Sequence, residues 1–220
     1  GGGDGGNGGS GVILIRYGLT KPGTSSIYFD GTGDSLELAA SSDWDFGTGA
    51  YTVEGWIKSS DASSQFIWHG AGSANSDGFR VRIQGASDGL LNINEQEGGN
   101  DHQIRSTTRV DDGVWHHWAA SRESGDPMKL FVDGVHEATQ DANYNFDNNN
   151  VQMIGIKYGG NEPVDGYMDE IRVSNSARYT GNFTVQRTEF SPDSNTKFLL
   201  HSNFDGGLGL DSSGEGNNFT

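Results

Sequence analysis

The sequence predicts an all-β fold, a sandwich of two antiparallel sheets that takes in most of the 220 residues. Short runs of β-branched and aromatic residues recur along the chain, and turn formers, with 35 glycines in the whole sequence, separate them. No segment carries the apolar stripe of an amphipathic helix. Sandwiches of this length commonly fold as one unit. We therefore expect one β domain that follows a glycine-rich extension.

The extension comprises residues 1–25. Eight of its first eleven residues are glycine, which is typical of a flexible linker. Residues 12–17, Val-Ile-Leu-Ile-Arg-Tyr, strongly favour a β-strand, and a hinge follows them. Ordered polyglycine needs partners for its backbone groups. We therefore predict that residues 1–25 make an oligomer contact.

The strands of the domain are predicted from alternation and from the turns between them. In residues 79–84 apolar residues alternate with Arg80, Arg82 and Gln84, so we expect one buried face and one face in water. The other segments share short length and β-forming composition. The predicted segments are 26–31, 35–38, 51–58, 79–84, 90–95, 115–122, 128–134, 151–158, 166–173 and 196–206.

Charge and composition exclude several classes of function. The net charge of −16 argues against a nucleic-acid partner, which needs clustered Lys and Arg. It is explained by solubility or by a demand for divalent cations such as calcium. The absence of cysteine excludes a disulfide framework and is ordinary in virion or bacterial surface proteins. The longest apolar run, residues 12–15, is too short to cross a membrane, so we expect no membrane insertion.

Three motifs carry a resemblance to a known family. They are Trp-His-His-Trp-Ala-Ala-Ser-Arg at 115–122, Met-Lys-Leu-Phe-Val-Asp-Gly at 128–134, and Gly-Tyr-Met-Asp-Glu-Ile-Arg-Val at 166–173. Together they resemble the laminin-G-like branch of the concanavalin A-like lectins and glucanases. This implies a two-sheet antiparallel jelly roll over residues 26–206, with residues 207–220 as a C-terminal connector.

Asp169 is the sharpest candidate for a metal ligand. Strict alternation puts it on the more apolar face of its strand, where an unpaired carboxylate is costly. The resemblance implies that Asp30 and Asp34 lie near Asp169 and that the three could hold calcium, which prefers oxygen ligands. The alternative is that backbone N–H groups satisfy Asp169 without metal. Glu170 and Arg172, on the opposite face, are expected to form a solvated ion pair of little worth.

A polar loop at residues 141–150 is the candidate for ligand binding. Exposed aromatic rings suit sugars, because a flat ring stacks on a pyranose face. Tyr144 and Asn148 lie in this loop, and Tyr158 lies in a later one; we predict a glycan site at these three residues. The alternative is an ordinary polar turn. Trp44 and Trp68 are expected to pack inwards instead.

No catalytic pattern is present in the sequence. Glu95-Gln96-Glu97 places two carboxylates on one face. It lacks the central Asp of the catalytic motif that jelly-roll glucanases of similar architecture carry. His116 and His117 are neighbours on a strand and point to opposite faces, so they cannot both bind one ion and are expected to be structural. We predict that the chain is not an enzyme.

Three functional hypotheses follow. The first is a structural and adhesive module of a virion, such as a bacteriophage tail fibre, that contacts host glycans. The glycine-rich start and residues 174–184 resemble such proteins. The second is a carbohydrate-binding domain of a secreted bacterial enzyme or adhesin, and the third is a polymer-forming surface protein. All three place the chain on a virion or outside the cell, with itself or other virion proteins as partners.

Overall fold

Thirteen strands make up two antiparallel sheets in the part of the chain that the structure, a computed structural model, describes. That part comprises residues 21–70, 77–85, 88–146, 149–203 and 210–219. Its only helix is a single 3₁₀ turn, Ser42–Trp44. The predicted two-sheet antiparallel jelly roll is confirmed. The glycine-rich run and the β-forming segment at 12–17 lie outside the described residues.

The strands are short, as the sequence predicted. In chain order they are β1 Ile27–Asp30, β2 Leu36–Leu38, β3 Tyr51–Ser59, β4 Gln65–Gly70, β5 Gly78–Ile83, β6 Leu90–Glu97, β7 Asn100–Arg109, β8 His116–Arg122, β9 Lys129–Val132, β10 Val135–Thr139, β11 Gln152–Ile154, β12 Asp165–Ser174 and β13 Thr196–Leu200.

One sheet has seven strands and the other has six. The first runs β1-β12-β3-β8-β9-β10, with β13 also paired to β12, and the second runs β2-β11-β4-β5-β6-β7. Each sheet pairs some strands that are distant in the chain, such as β3 with β12 and β4 with β11. The register of each pair is set by which face must be buried. The hairpin of β9 and β10 turns at Asp133 and Gly134, whose φ angles of 50° and 80° are those of a tight turn of the predicted kind.

The core lies between the sheets. Inward side chains of both sheets form one apolar cluster, in which Trp44 and Trp68 pack edge to face with centroids 6.3 Å apart. Both tryptophans pack inwards, as predicted. Residues 210–219 return to the sandwich, where Phe219 bridges to Leu38 and packs against this cluster. The described residues contain no helix long and apolar enough to cross a bilayer.

A bulge in β12 corrects the predicted alternation. The pairing with β3 shifts between Asp169 and Arg172, and Glu170 has a positive φ of 51°. The extra residue reverses which side chains face inwards. Met168 therefore joins the core together with Ile171, and Asp169 faces away from it.

The two outer faces of the sandwich differ in what lies on them. The outer face of the seven-stranded sheet, here called the covered face, lies beneath residues 21–25 and 175–191. The Lys21 ammonium contacts Asp169 there, and the Phe190 ring lies over Arg172. The outer face of the six-stranded sheet, here called the open face, presents side chains of β4, β5, β6 and β7.

Candidate functional site

A cleft of about 150 Å³ lies on the open face. Its position follows from strand order, because β4, β5, β6 and β7 are consecutive neighbours and their outward residues stand in adjacent rows. Lys157, three residues after the end of β11, brings a further cation to its rim. The lining residues are Phe66, Arg80, Arg82, Asn92, Asn94, Asp101 and Lys157.

The cleft holds buried acceptors that have no donor. Asn92 is 1% exposed and Asn94 is 8% exposed, and the side-chain oxygen of each lacks a hydrogen-bond partner among the described residues. The Asn92 amide nitrogen is fixed by donation to the Gln103 side-chain oxygen at 2.9 Å. Buried polar atoms are nearly always partnered in folded proteins. Two aligned orphan oxygens in one cleft therefore indicate a place where a ligand or water donates hydrogen bonds.

Phe66 forms the apolar floor of the cleft, and cations lie over it. The Arg82 guanidinium carbon is 5.8 Å from the ring centroid, and the Lys157 ammonium is 5.5 Å from it. Such positions are favoured by the ring quadrupole. At the other side Arg80 lies 3.7 Å from the carboxylate of Asp101. The site thus combines one aromatic surface, three cations and amide acceptors.

His69 lies next to the cleft on β4. Its ring packs edge to face on Phe66 with centroids 5.2 Å apart, and neither ring nitrogen has a partner among the described residues. Burial, together with the positive charges of Arg80 and Lys157, lowers the pKa of His69 to about 3. The imidazole is therefore neutral at physiological pH.

The covered face contains a closed network around Glu54. One oxygen of the buried Glu54 carboxylate accepts from Arg172 at 2.8 and 2.6 Å, and the other bonds to His117 at 3.1 Å and Tyr179 at 2.7 Å. Burial alone would raise the pKa of Glu54, but the His117 hydrogen bond and the Arg172 charge lower it to about 2. Glu54 is therefore a permanent anion inside a set of donors.

The segment 175–191 seals this network. The Tyr179 and Phe183 rings stack with centroids 3.6 Å apart, and both lie against His117. Glu170 binds the Phe190 N–H at 2.6 Å and His201 at 2.7 Å. The prediction of a solvated Glu170–Arg172 pair was wrong, because the covering segment buries both side chains and each has a different partner.

A depression on the covered face has a volume of about 440 Å³ and is lined by Arg172, Arg178, Tyr179 and neighbouring polar residues. Its charged groups are already engaged. Arg178 donates to both oxygens of Asp193 at 3.1 and 2.9 Å, and Tyr179 donates to Glu54. It lacks the orphan acceptors of the cleft, so the open face is the stronger candidate.

The structure does not bring together the three carboxylates proposed as calcium ligands. Asp30 is in register with Asp165, so Asp169 lies four residues further along β12, about 13 Å away at 3.3 Å per residue. Asp169 binds Lys21 and the Glu170 N–H, and burial raises its pKa to about 6 despite the Lys21 charge. No metal-binding group of three such side chains occurs in the described ranges.

This corrects the calcium site in part. Asp169 leaves the set because an ammonium already neutralises it. Asp30 and Asp34 remain together in one turn, where the Asp30 N–H donates to Asp34 at 3.1 Å. Calcium binding at that turn stays a prediction.

The residues predicted to bind a glycan, Tyr144 and Tyr158, have different surroundings. Tyr144 stacks on His102 with centroids 3.4 Å apart, and its hydroxyl donates to Asp141 at 2.7 Å, so it is engaged within the loop. Tyr158 is 41% exposed and directly follows Lys157 of the cleft rim. Asn148 lies outside the described residues. A ligand contact by any of the three stays a prediction.

Sequence reasoning missed the cleft, although a signal was present. Arg80 and Arg82 were expected on a face in water, and the Asn-Ile-Asn spacing of β6 was not singled out. Two asparagines at positions i and i+2 of a strand stand on one face, and β6 pairs antiparallel with β5 so that Arg82 faces Asn92 and Arg80 faces Asn94. This placement of two arginines opposite two asparagines could have identified the site.

Comparison with known proteins supports the fold assignment. The family model of the concanavalin A-like lectin/glucanases superfamily matches residues 30–180. A search of curated protein sequences gave no significant match. Three similar solved structures each have 20% identity or less to this chain.

A putative carbohydrate-binding protein from Bacteroides ovatus has a TM-score of 0.67 and 20% identity; the alignment covers 88% of this chain and 57% of that one. Domain 4 of an extracellular arabinanase from Geobacillus stearothermophilus, in complex with arabinotriose, has a TM-score of 0.55, 18% identity and coverage of 78% of both chains. The carbohydrate-binding module of a Ruminococcus gnavus sialidase, bound to α2,3-sialyllactose, has a TM-score of 0.55, 18% identity and coverage of 70% and 91%.

These structures share the two-sheet architecture, which at such identities establishes the fold and not the ligand. The family match covers more than half of the chain, and it includes the strands that form the cleft and those that hold Glu54. The motifs at 115–122, 128–134 and 166–173 fall inside it. The chain therefore belongs to the concanavalin A-like lectin/glucanase superfamily.

Proposed function

We propose that this chain is a non-catalytic carbohydrate-binding module and that the cleft on the open face is its glycan site. The observation that carries the proposal is the pair of orphan oxygens on Asn92 and Asn94. Sugar hydroxyls donate hydrogen bonds to such acceptors, and Phe66 offers an apolar surface. Two of the similar structures contain bound oligosaccharides, which supports the same class of ligand.

The non-catalytic part rests on the placement of the carboxylates. A glycosidase needs two carboxyl groups across a sugar-sized gap. Glu95, one of the two acidic residues of Glu95-Gln96-Glu97, is 1% exposed, and it binds Tyr51 at 2.7 Å and Arg122 at 3.2 Å. It is thus engaged inside the sandwich. Of the described residues that line the cleft, Asp101 alone carries a carboxylate.

For the biological setting we keep adhesion outside the cell, on a virion such as a bacteriophage tail fibre, with host glycans as partners. The glycine-rich start and the absence of cysteine support it. A glycan-binding domain of a secreted bacterial enzyme or adhesin is the second candidate. Oligomer formation through residues 1–25 distinguishes a fibre component: light scattering should give an oligomer for the full chain and a monomer after deletion of residues 1–20.

The glycan site is tested with the full chain on a glycan array, followed by calorimetry on the best ligand. Asn94→Leu removes one orphan oxygen and should abolish measurable binding. Asn195→Leu, the same change at an exposed residue in the turn before β13, is the matched control and should bind normally. Tyr158→Ala tests the loop: if it abolishes binding while Asn94→Leu does not, the site is at the loop. No binding to any glycan would contradict the proposed function.

A further inference from the structure

The cleft is cationic in a strongly acidic protein. The chain contains 14 Lys and Arg against 30 Asp and Glu. The cleft reverses this balance, since among the described residues Arg80, Arg82 and Lys157 line it together with one acid, Asp101. A local excess of positive charge on an otherwise negative surface needs a physical reason, and solubility does not provide one.

The ion pairs seen at the cleft are long. Arg80 and Asp101 are 3.7 Å apart, and Lys157 and Glu162 are 3.6 Å apart, which are long ion pairs at a partly exposed surface. Arg82 has no carboxylate within ion-pair distance among the described residues. Its guanidinium fork lies over Phe66 and faces Asn92 across the strand pair. A planar fork of this kind binds carboxylate or sulfate oxygens in pairs.

The buried His69 lies within reach of two of these cations. The pKa of His69 is lowered by burial and by the charges of Arg80 and Lys157, even though the protein as a whole is an anion. Arg80 and Lys157 therefore act on the imidazole beside the cleft. An anion placed beside Arg82 and Lys157 would offset that positive charge and raise the pKa of His69.

The orphan side-chain oxygens of Asn92 and Asn94 make a bare inorganic anion a poor ligand for the cleft. Sulfate would suit the cations but has no O–H to donate to the Asn92 and Asn94 oxygens, and phosphate near neutral pH has only one or two. A sugar that carries an acidic group offers both, because its hydroxyls donate and its anionic group accepts. Long polyanions are disfavoured by the net charge of −16, so the acidic group belongs to a short or terminal sugar unit.

We propose that the glycan bound by the cleft is acidic: Arg82 and Lys157 bind its anionic group, and Asn92 and Asn94 accept hydrogen bonds from hydroxyls of the same sugar. This inference rests on the proposed function and narrows its ligand class. The anionic group is a sugar carboxylate or a sugar sulfate, whose oxygens present the same chemistry to a guanidinium.

The test is calorimetry of the full chain against matched sugar pairs. Trigalacturonic acid is compared with its methyl ester, and a sulfated galactose trisaccharide with its unsulfated form. 3′-Sialyllactose is compared with lactose. We expect at least one acidic member to bind about tenfold tighter than its neutral partner, with the ratio falling as salt is raised. The pair that shows the difference identifies carboxylate or sulfate.

Two variants separate a direct contact from a general charge effect. Arg82→Gln should lose about tenfold in affinity for the acidic sugar and change the neutral partner little. Arg105→Gln removes the same charge from β7, where Arg105 is in register with Asn92 but lies 3.6 Å from Asp88 and outside the cleft lining, and it should change both affinities little. In NMR titrations the His69 resonance should titrate at higher pH with the acidic sugar bound, and the neutral partner should not have this effect.

The outcomes distinguish the two proposals. Equal binding of acidic and neutral members, with Arg82→Gln unaffected, overturns the acidic ligand and leaves carbohydrate binding in place. Equal losses in Arg82→Gln and Arg105→Gln overturn the contact at Arg82. Binding of neither member of any pair, nor of any other glycan, overturns the proposed function and this inference together.

Discussion

On the covered face, every carboxylate oxygen of Glu54, Asp169 and Glu170 accepts a hydrogen bond, whereas on the open face the side-chain oxygens of Asn92 and Asn94 accept none. Both faces bury polar groups on the outside of a sheet, so burial does not separate them. For these oxygens, what differs is whether the protein itself supplies the hydrogen-bond donors; the orphan atoms on the covered face include ring nitrogens, those of Trp56 and His117. A closed network holds a covering segment in place, and an open one leaves hydrogen bonds for a ligand.

The largest expected effect is on stability, when the closed network is broken. Glu54→Gln keeps the shape of the side chain but leaves Arg172 buried without its counter-charge, so we expect the free energy of unfolding to fall by about 3–5 kcal/mol. On the open face, Asn94→Leu removes an unsatisfied acceptor and should change stability by less than about 0.5 kcal/mol. Urea unfolding followed by tryptophan fluorescence measures both. Comparable losses in the two variants would abolish the contrast between the faces.

The second effect is the response to acid. The pKa of Glu54 is about 2 in the fold, below its ordinary value of 4.5, so the unfolded chain binds the proton more readily. The stability from this group is complete above about pH 4.5 and is lost as pH falls towards 2, by up to about 3 kcal/mol.

Melting temperatures between pH 2.5 and 6 test this. The difference between the wild type and Glu54→Gln should be largest near neutrality and shrink with acid, because the other carboxylates titrate alike in both proteins. A difference that does not depend on pH would mean that the Glu54 pKa is not lowered in the fold.

These two faces also show what could be predicted from the sequence. The strands at 51–58, 115–122 and 128–134 were predicted from local alternation and turn chemistry. Both signals, the apolar alternation and the Asp-Gly pair, come from residues that are close together in the sequence. β7 was missed because its exposed residues show no apolar alternation.

The covered face could not be predicted, for a different reason. The burial of Glu54 and Arg172 depends on residues 175–191, which lie far along the chain from Glu54 and carry no periodic pattern. The bulge at Glu170 then reverses the inward faces in a way that strict alternation cannot express. The cleft depends on the pairing of β5 with β6, so its cations and acceptors are close in space only after register is known.

A smaller effect is expected when one bond of the closed network is removed. Tyr179→Phe deletes the hydroxyl that donates to Glu54 at 2.7 Å and keeps the stacked ring, so we expect a loss of about 1–2 kcal/mol. Tyr144→Phe makes the same change at a hydroxyl that donates to the exposed Asp141, and it should have no measurable effect. Parallel urea titrations compare them. A loss in Tyr144→Phe that equals the loss in Tyr179→Phe would show that burial of the bond is unimportant.

The smallest expected effect is the difference that calcium makes to the stability of an Asp169 variant. Lys21 already supplies the counter-charge of Asp169, so a calcium ion would have to displace a buried ammonium. Asp169→Asn leaves that ammonium unpaired and should lower the melting temperature by the same amount in calcium and in chelator. Asp34→Asn is the matched variant, since its carboxylate lies in the turn with Asp30. If calcium binds at that turn, it should raise the melting temperature of the wild type and of Asp169→Asn but not that of Asp34→Asn. If the rise in melting temperature is lost in Asp169→Asn instead, the ion lies on the covered face.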